Sequence, residues 1–198
     1  MRVIAGALGG RKLIAPRGLA TRPTTDRVRE ALFSVLSSVE GARVLDLYAG
    51  TGALGIEALS RGAASAVFVE SARPAAAALR ENLTSLGLQN KARVITDPVA
   101  RAVARLAHSA GAPSPGGLTH DTSEGPARFD LVFADPPYDD VDEALVALES
   151  LVPVLDPAAR IVLEHSSRRP PAAMSEALTL VRTRTYGDTA LAFLALHT

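Results

Sequence analysis

Asp135, Pro136, Pro137 and Tyr138 close the apolar run FDLVFA at residues 129 to 134. A residue before proline is biased to extended backbone, and proline fixes its own φ near −65°. Asp135 and Pro136 both precede a proline, so the Asp135 carboxylate and the Pro136 carbonyl become two stiff acceptors with no proline N–H beside them. Tyr138 adds a flat aromatic face. Two fixed acceptors beside an aromatic suit a planar NH2 group on a ring: the acceptors take its hydrogens and the tyrosine stacks on the ring. Accepting both hydrogens draws such a nitrogen toward tetrahedral geometry and stabilises the positive charge it gains as a nucleophile. A stiff turn leaving a buried strand is the plainer reading of the same four residues.

A second constellation lies upstream, in VLDLYAGTGALGIEAL. Gly50, Gly52 and Gly55 satisfy G-x-G-x-x-G between a strand-like run and a helical one. In a dinucleotide enzyme such glycines admit a pyrophosphate to a helix N-terminus, with an acid about 20 residues on. Glu70 could be that acid. Asp46 argues against this use, because a carboxylate four positions before Gly50 would repel a pyrophosphate and attract an ammonium or sulfonium cation. S-adenosylmethionine carries both cations. The order apolar-Asp-apolar-Tyr-Ala-Gly-x-Gly resembles the first motif of class I methyltransferases. That resemblance implies cofactor contacts from Asp46, Tyr48, Gly50, Thr51 and Gly52, from Glu70 to the ribose, and from Asp97 and Pro98 near the adenine. Asp97 reads equally well as a helix N-cap before Pro98, and Tyr48 and Tyr186 equally well as packing residues.

These residues need a scaffold that brings them together. From residue 43, strand-like runs (RVLDLYA, SAVFVE, ARVIT, FDLVFA, RIVLEH) alternate with helical patterns near 53 to 61, 73 to 86, 98 to 108 and 140 to 151. Such alternation predicts βαβ units and a parallel sheet covered on both faces. The tail LTLVRTRTYGDTALAFLALHT reads as two strands around Gly187-Asp188, a hairpin closing one sheet edge. The expected fold is therefore a Rossmann-like, mostly parallel seven-stranded sheet with an antiparallel edge hairpin. Ahead of it, RVIAG and RKLIAP flank ALGG as a short β-hairpin that should add little to the core. RPTTDRVREALFSVLSSV predicts a helix with Val28, Leu32, Val35, Leu36 and Val39 on one face, ending at Gly41. Residues 109 to 127, rich in Gly, Pro, Ser and Thr, are expected to form a flexible surface loop.

Composition narrows the possibilities further. With 198 residues the chain suits one α/β domain; with no cysteine it can form neither a disulfide nor a thiolate zinc site, and its four histidines lack ligand spacing. No metal is expected. No signal peptide or membrane span is legible, which implies a cytoplasmic protein. Net charge is zero, yet residues 1 to 29 carry Arg2, Arg11, Lys12, Arg17, Arg22, Arg27 and Arg29 against Asp26 alone, a net of +6. A basic arm on an acidic body predicts a polyanionic partner docking at one end.

The stretches RVIAGALGGRKL, RPTTDRVREALFSVL, DLYAGTGALGIEALSRGA, FVE and FADPPY together closely resemble the bacterial 16S ribosomal RNA guanine(966)-N(2) methyltransferase family, over nearly the whole chain. The resemblance implies an N-terminal basic hairpin extension at 1–22 and a class I methyltransferase domain at 23–198. S-adenosylmethionine would be the donor, and the substrate 16S rRNA in an assembled or assembling small subunit. The enzyme would be a monomer. Asp135, Pro136 and Tyr138 would be catalytic, and Arg2, Arg11, Lys12, Arg17 and Arg22 would bind RNA. The loop at 109 to 127 is longer than the family leads us to expect. DPPY also occurs in DNA adenine-N6 enzymes, the nearest alternative, although no target-recognition domain of the usual size is legible. Glutamine-methylating enzymes carry asparagine where this chain has Asp135. A dinucleotide oxidoreductase would leave Asp46 and DPPY unexplained, and a non-catalytic RNA-binding module would need no glycine loop.

Overall fold

The computed structural model describes residues 1–15, 25–108, 128–171 and 176–197. The expected loop at 109 to 127 and the arm residues Arg17 and Arg22 lie outside the described residues.

Seven strands form one sheet, in the spatial order β3-β2-β1-β4-β5-β7-β6. They are β1 (Arg43–Leu47), β2 (Ser65–Val69), β3 (Ala92–Ile95), β4 (Phe129–Ala134), β5 (Leu155–Ser166), β6 (Leu178–Tyr186) and β7 (Thr189–Leu196). The first five run parallel; β7 pairs antiparallel with both β5 and β6. The order within the tail hairpin follows from its side chains. In β7, TALAFLAL is buried through its middle, so it sits inside the sheet, whereas LTLVRTRTY of β6 is exposed almost throughout and makes the edge, where arginines discourage further pairing.

Period-two alternation splits the core into two layers. Val44, Phe68, Leu131 and Phe133 face α1 (Asp26–Leu36), α2 (Ala53–Ser60) and α3 (Arg73–Ser85). Leu45, Leu47, Val132 and Ala134 face α4 (Val99–His108) and α5 (Val141–Ser150). Phe33 of α1 meets Phe133 edge-on at 5.7 Å between ring centroids, which fixes α1 over the centre of the sheet.

Three expectations need correcting. First, α1 starts as its sequence suggests, with Thr25 Oγ1 accepting from Val28 N, but it stops at Leu36 and not at Gly41. Ser37 turns the chain at φ 60°, and the Arg160 guanidinium donates to Leu36 O at 2.5 Å and Ser38 O at 3.0 Å. A side chain 124 residues away thus satisfies the helix-end carbonyls. Second, β5 begins at Leu155 and runs through Asp156-Pro157; the register shift against β4 between Phe129 and Leu131 accommodates the proline. Third, the short hairpin of the arm is present but adds more to the core than expected. Antiparallel bonds from Val3 N to Arg11 O (2.9 Å) and from Leu13 N to Met1 O (3.1 Å) flank the bridge Arg2–Lys12, and Val3 and Leu13 are buried in the main core. The arm is held by its contacts with the domain more than by its own ladder.

Those contacts come from buried polar side chains. Glu57 in α2 accepts from Ile4 N at 2.7 Å and Ala5 N at 3.0 Å, and from Arg61 Nε at 2.7 Å. Arg61 in turn lies over the Phe33 ring. Arg29, counted in the sequence among the arm's cations, is fully buried: Nη2 donates to Arg2 O at 2.6 Å and Asp26 Oδ1 at 2.8 Å. It is a rivet between arm and α1 and presents no charge to solvent.

At the N-terminal ends of β1 and β4, Arg43 donates to Asp130 through its backbone N–H (2.7 Å), Nε (3.0 Å) and Nη2 (3.0 Å). Burial alone would raise the Asp130 carboxyl, but these bonds and the Arg43 charge outweigh it and hold the group below its ordinary value. A depressed folded value means that the stabilisation is present above the usual aspartate range and is lost as pH falls through the folded value. Asp130→Ala should therefore cost about 1.5–3 kcal/mol at neutral pH, the range for hydrogen bonds to charged groups. The gap to wild type in urea midpoints should close below the usual aspartate range.

Candidate active site

The register of three strands assembles the site. Leu47 at the end of β1 lies opposite Val69 of β2 on one side and Ala134 of β4 on the other. Glu70 directly follows Val69, Asp135 directly follows Ala134, and Asp46 precedes Leu47. Three carboxylates from distant sequence positions thus meet at the carboxyl ends of adjacent strands, where the strand order reverses and α/β sheets bind ligands.

Asp46 is 2% exposed, and its Oδ2 accepts from Gly55 N in the first turn of α2 at 2.8 Å. Burial pushes this carboxyl well above its ordinary value; the Gly55 bond opposes the shift, and the charges of Asp135 and Glu70 add to it. Among the described residues no cationic side chain pairs with Asp46. The site therefore favours an added positive charge. Gly55 is required by contact: a Cβ there would come within 2.3 Å of the Phe68 ring and 3.0 Å of Asp46 Oδ2.

Glu70, 8% exposed, spends one oxygen on each side of a turn. Oε2 accepts from Gly50 N and Oε1 from Ala72 N, both at 2.7 Å. It staples the glycine loop to the end of β2, and each oxygen keeps a lone pair for a further donor. The loop itself is left-handed at Tyr48 (φ 57°), Gly50 (φ 55°) and Gly52 (φ 84°), the last being the N-cap of α2. A side chain at Gly50 would meet nothing within 4 Å, so the glycine serves backbone conformation and leaves open space at the mouth of the loop. Tyr48 holds a conformation uncommon for a non-glycine residue, a form of strain that concentrates at functional sites. Burial, with Glu143 and Asp140 behind it, pushes its hydroxyl up to about 12.

In DPPY, Pro136 is buried, Pro137 is exposed at φ −51° and ψ 144°, and Tyr138 is half-buried with its hydroxyl 3.5 Å from Thr189 Oγ1 of β7. The tail hairpin thus supports the motif's aromatic through Thr189, whereas Tyr186 packs against the core. Asp97 is also paired within the protein: Oδ1 with Arg101 at 3.2 Å and Oδ2 with Arg105 at 3.1 Å, tying the end of β3 to α4. Arg2, Arg11 and Lys12 are exposed, with Arg2 near Asp26 at 3.6 Å and Arg11 donating to Ser85 O at 3.3 Å. Sequence reasoning missed Glu57 and Asn82. The available signal was a polar residue on an apolar helix face: Glu57 among Leu54, Ile56, Ala58 and Leu59, and Asn82 between Leu79 and Leu83.

Among the described residues no group of three or more His, Asp or Glu is arranged to hold a metal ion, and no helix is long and apolar enough to cross a membrane. Because the folded Asp46 value is raised, the folded state binds more protons than the unfolded one between the two values, and stability falls as pH rises through that window. Asp46→Asn keeps an acceptor for Gly55 and removes the charge. It should melt at or above the wild-type temperature at neutral pH, with the difference vanishing toward about pH 3, below the ordinary aspartate value, as followed by circular dichroism.

Comparison with known proteins agrees with this geometry. The model of the family described as "Conserved hypothetical protein 95" matches residues 1–113 and 117–195. The chain is 37% identical over 194 residues, 97% of either chain, to a Bacillus subtilis (strain 168) protein named provisionally as the rRNA methyltransferase YlbH. It is 42% identical over 139 residues to ribosomal RNA small subunit methyltransferase D of Escherichia coli (strain K12), covering 70% of this chain and 60% of that one. A solved hypothetical protein of Thermus thermophilus superposes with a TM-score of 0.78 at 29% identity, covering 99% of both chains. With a seven-stranded class I fold, an acid-rimmed glycine loop and DPPY beside it, the chain belongs to the conserved hypothetical protein 95 family, that of the small subunit methyltransferase D proteins.

Proposed function

We propose that the protein methylates the exocyclic N2 amine of a guanine in 16S rRNA, guanine 966 in the usual rRNA numbering, within a small ribosomal subunit. We take it to act as a cytoplasmic monomer with S-adenosylmethionine as donor. The observation that carries this reading is the meeting of Asp46, Glu70 and Asp135 at neighbouring strand ends beside a glycine loop, with no cationic side chain paired to Asp46 among the described residues. The names of relatives 37% and 42% identical to the chain support an rRNA substrate.

The residues present fit the donor. Asp46 faces a cationic group, the spare lone pairs of Glu70 take ribose hydroxyls, and Tyr48, Gly50, Thr51 and Gly52 form the wall through which backbone approaches the ligand. Asp97 and Pro98 flank the adenine, with Asp97 held in place by Arg101 and Arg105. When bound, S-adenosylmethionine supplies an electrophilic methyl group on a sulfonium. The chain's own residues prepare the acceptor: the Asp135 carboxylate and the Pro136 carbonyl accept the two amino hydrogens and pull the nitrogen lone pair out of conjugation, while Tyr138 stacks on the base. No strong general base is needed, because the alkylated nitrogen is acidic and releases its proton to water, and the donor would leave as the neutral thioether S-adenosylhomocysteine. The exposed cations Arg2, Arg11 and Lys12, with Arg17 and Arg22, hold phosphates.

Incubating the enzyme with small subunits lacking the modification and with methyl-labelled donor, then analysing nucleosides by mass spectrometry, tests the reading directly. Label in N2-methylguanosine is expected; label only in N6-methyladenosine, or none in RNA, would overturn it. In single-turnover assays Asp135→Ala should slow transfer roughly 100 to 1,000-fold, as for loss of one preorganised group, with cofactor affinity changed far less.

For the arm, the buried Val3 and Leu13 make truncation a poor test, whereas side-chain replacement leaves the core alone. Arg11→Ala with Lys12→Ala should weaken subunit binding and flatten its logarithmic salt slope by about 0.7–0.9 for each phosphate no longer neutralised. Filter binding at several salt concentrations would show this, and an unchanged slope would assign docking to another surface.

A further inference from the structure

Asn82 is fully buried in α3 and makes three hydrogen bonds that reach two segments far apart in sequence. Its Oδ1 accepts from Ile14 N at 2.7 Å and its Nδ2 donates to Ile14 O at 3.0 Å, so the carboxamide pairs with the arm as a neighbouring strand would. The second Nδ2 hydrogen goes to Thr51 O at 3.1 Å, in the glycine loop. One rigid, planar group therefore fixes the arm two residues after Lys12 and the loop one residue after Gly50. A second buried side chain repeats the arrangement: Arg29 donates to Arg2 O at 2.6 Å in the arm and to Ala53 O at 3.5 Å in the first turn of α2. Its Nε has no partner among the described residues, so this buried cation carries one unsatisfied donor.

We propose that Asn82 is a positioning residue that couples the arm to the glycine loop, so that RNA docking and cofactor binding favour each other. This rests on the reading of the arm as the RNA contact and of the loop as the cofactor contact. The physical basis is shared ordering. Restraining Ile14 through a docked arm fixes the plane of the carboxamide, and that plane sets the donor to Thr51 O; a cofactor that orders the loop restrains the same plane from the other side. The second ligand then meets a segment already ordered, which gives positive cooperativity without a change of fold. Reciprocity requires each ligand to raise the affinity of the other by the same factor. A purely structural asparagine would lower stability and leave that factor unchanged.

The test measures S-adenosylhomocysteine affinity by calorimetry with and without saturating small subunits, in wild type and in Asn82→Ala. The wild-type affinity should rise on subunit binding by at least about fivefold, the lower end of typical couplings. In the variant the rise should shrink below about twofold, less than any typical coupling. Hydrogen exchange on the wild type alone supplies a second readout that does not depend on the variant folding: saturation with S-adenosylhomocysteine should slow exchange of the Ile14 amide. Equal coupling in wild type and variant, a wild type in which both ligands bind independently, or an Ile14 amide indifferent to the cofactor would overturn the inference. Failure of wild type to bind S-adenosylhomocysteine or subunits at all would instead remove the underlying reading, and the inference with it.

Discussion

A buried aspartate held by one backbone amide sets the terms for the rest of the site. Asp46 lies inside the sheet, and its hydrogen bond to Gly55 fixes the angle at which α2 leaves the glycine loop. That bond needs a glycine at 55, because Phe68 and the carboxylate itself fill the space of a side chain. A second carboxylate, Glu70, holds the front of the same loop through Gly50 N. The loop is thus shaped by two acids whose charges oppose each other and are opposed again by Asp135. Such an arrangement sacrifices stability in the ligand-free protein, and a ligand bearing positive charge recovers it.

The parallel register sets this local constraint beside Asp135. β1 lies between β2 and β4, and the Arg43–Asp130 clamp pins β1 against β4 at the far end of the strands. A slip of one residue would exchange the sheet faces of β4 and carry Asp135 away from Asp46. The antiparallel tail serves the same end, since β7 packs beside β5 and places Thr189 against the Tyr138 hydroxyl. On the helical side, Glu57, Arg29 and Asn82 make the N-terminal arm part of the domain. These bonds tie the exposed cations Arg2, Arg11 and Lys12 to the same domain that carries the glycine loop.

Much of this was legible in the sequence, because it rests on local signals. Strand and helix positions from 43 to 151 follow from apolar period and glycine punctuation, and the expectation that Asp46, Glu70 and DPPY come together at one end of the sheet follows from their places at strand ends. What could not be read were the long-range pairings. Nothing near Leu36 signals that Arg160 will cap α1, and nothing near Asp97 signals its ion pair with Arg105, two turns along α4. The arm misled because its charges suggested a solvated appendage, while the alternation that buries Val3 and Leu13 is too short to stand out. Arg29 is the sharpest case: counted as an exposed cation, it lies wholly inside the protein.

The central claim is that the acid-rimmed glycine loop selects a cationic adenosyl ligand over a pyrophosphate-bearing one. Calorimetric titration of the protein with S-adenosylmethionine and, separately, with NADH addresses it most directly. Saturable one-to-one binding of S-adenosylmethionine with no detectable heat from NADH is the predicted result. Binding of NADH, or failure of S-adenosylmethionine to bind, would contradict the account of Asp46, Glu70 and Asp135 on which the site is built.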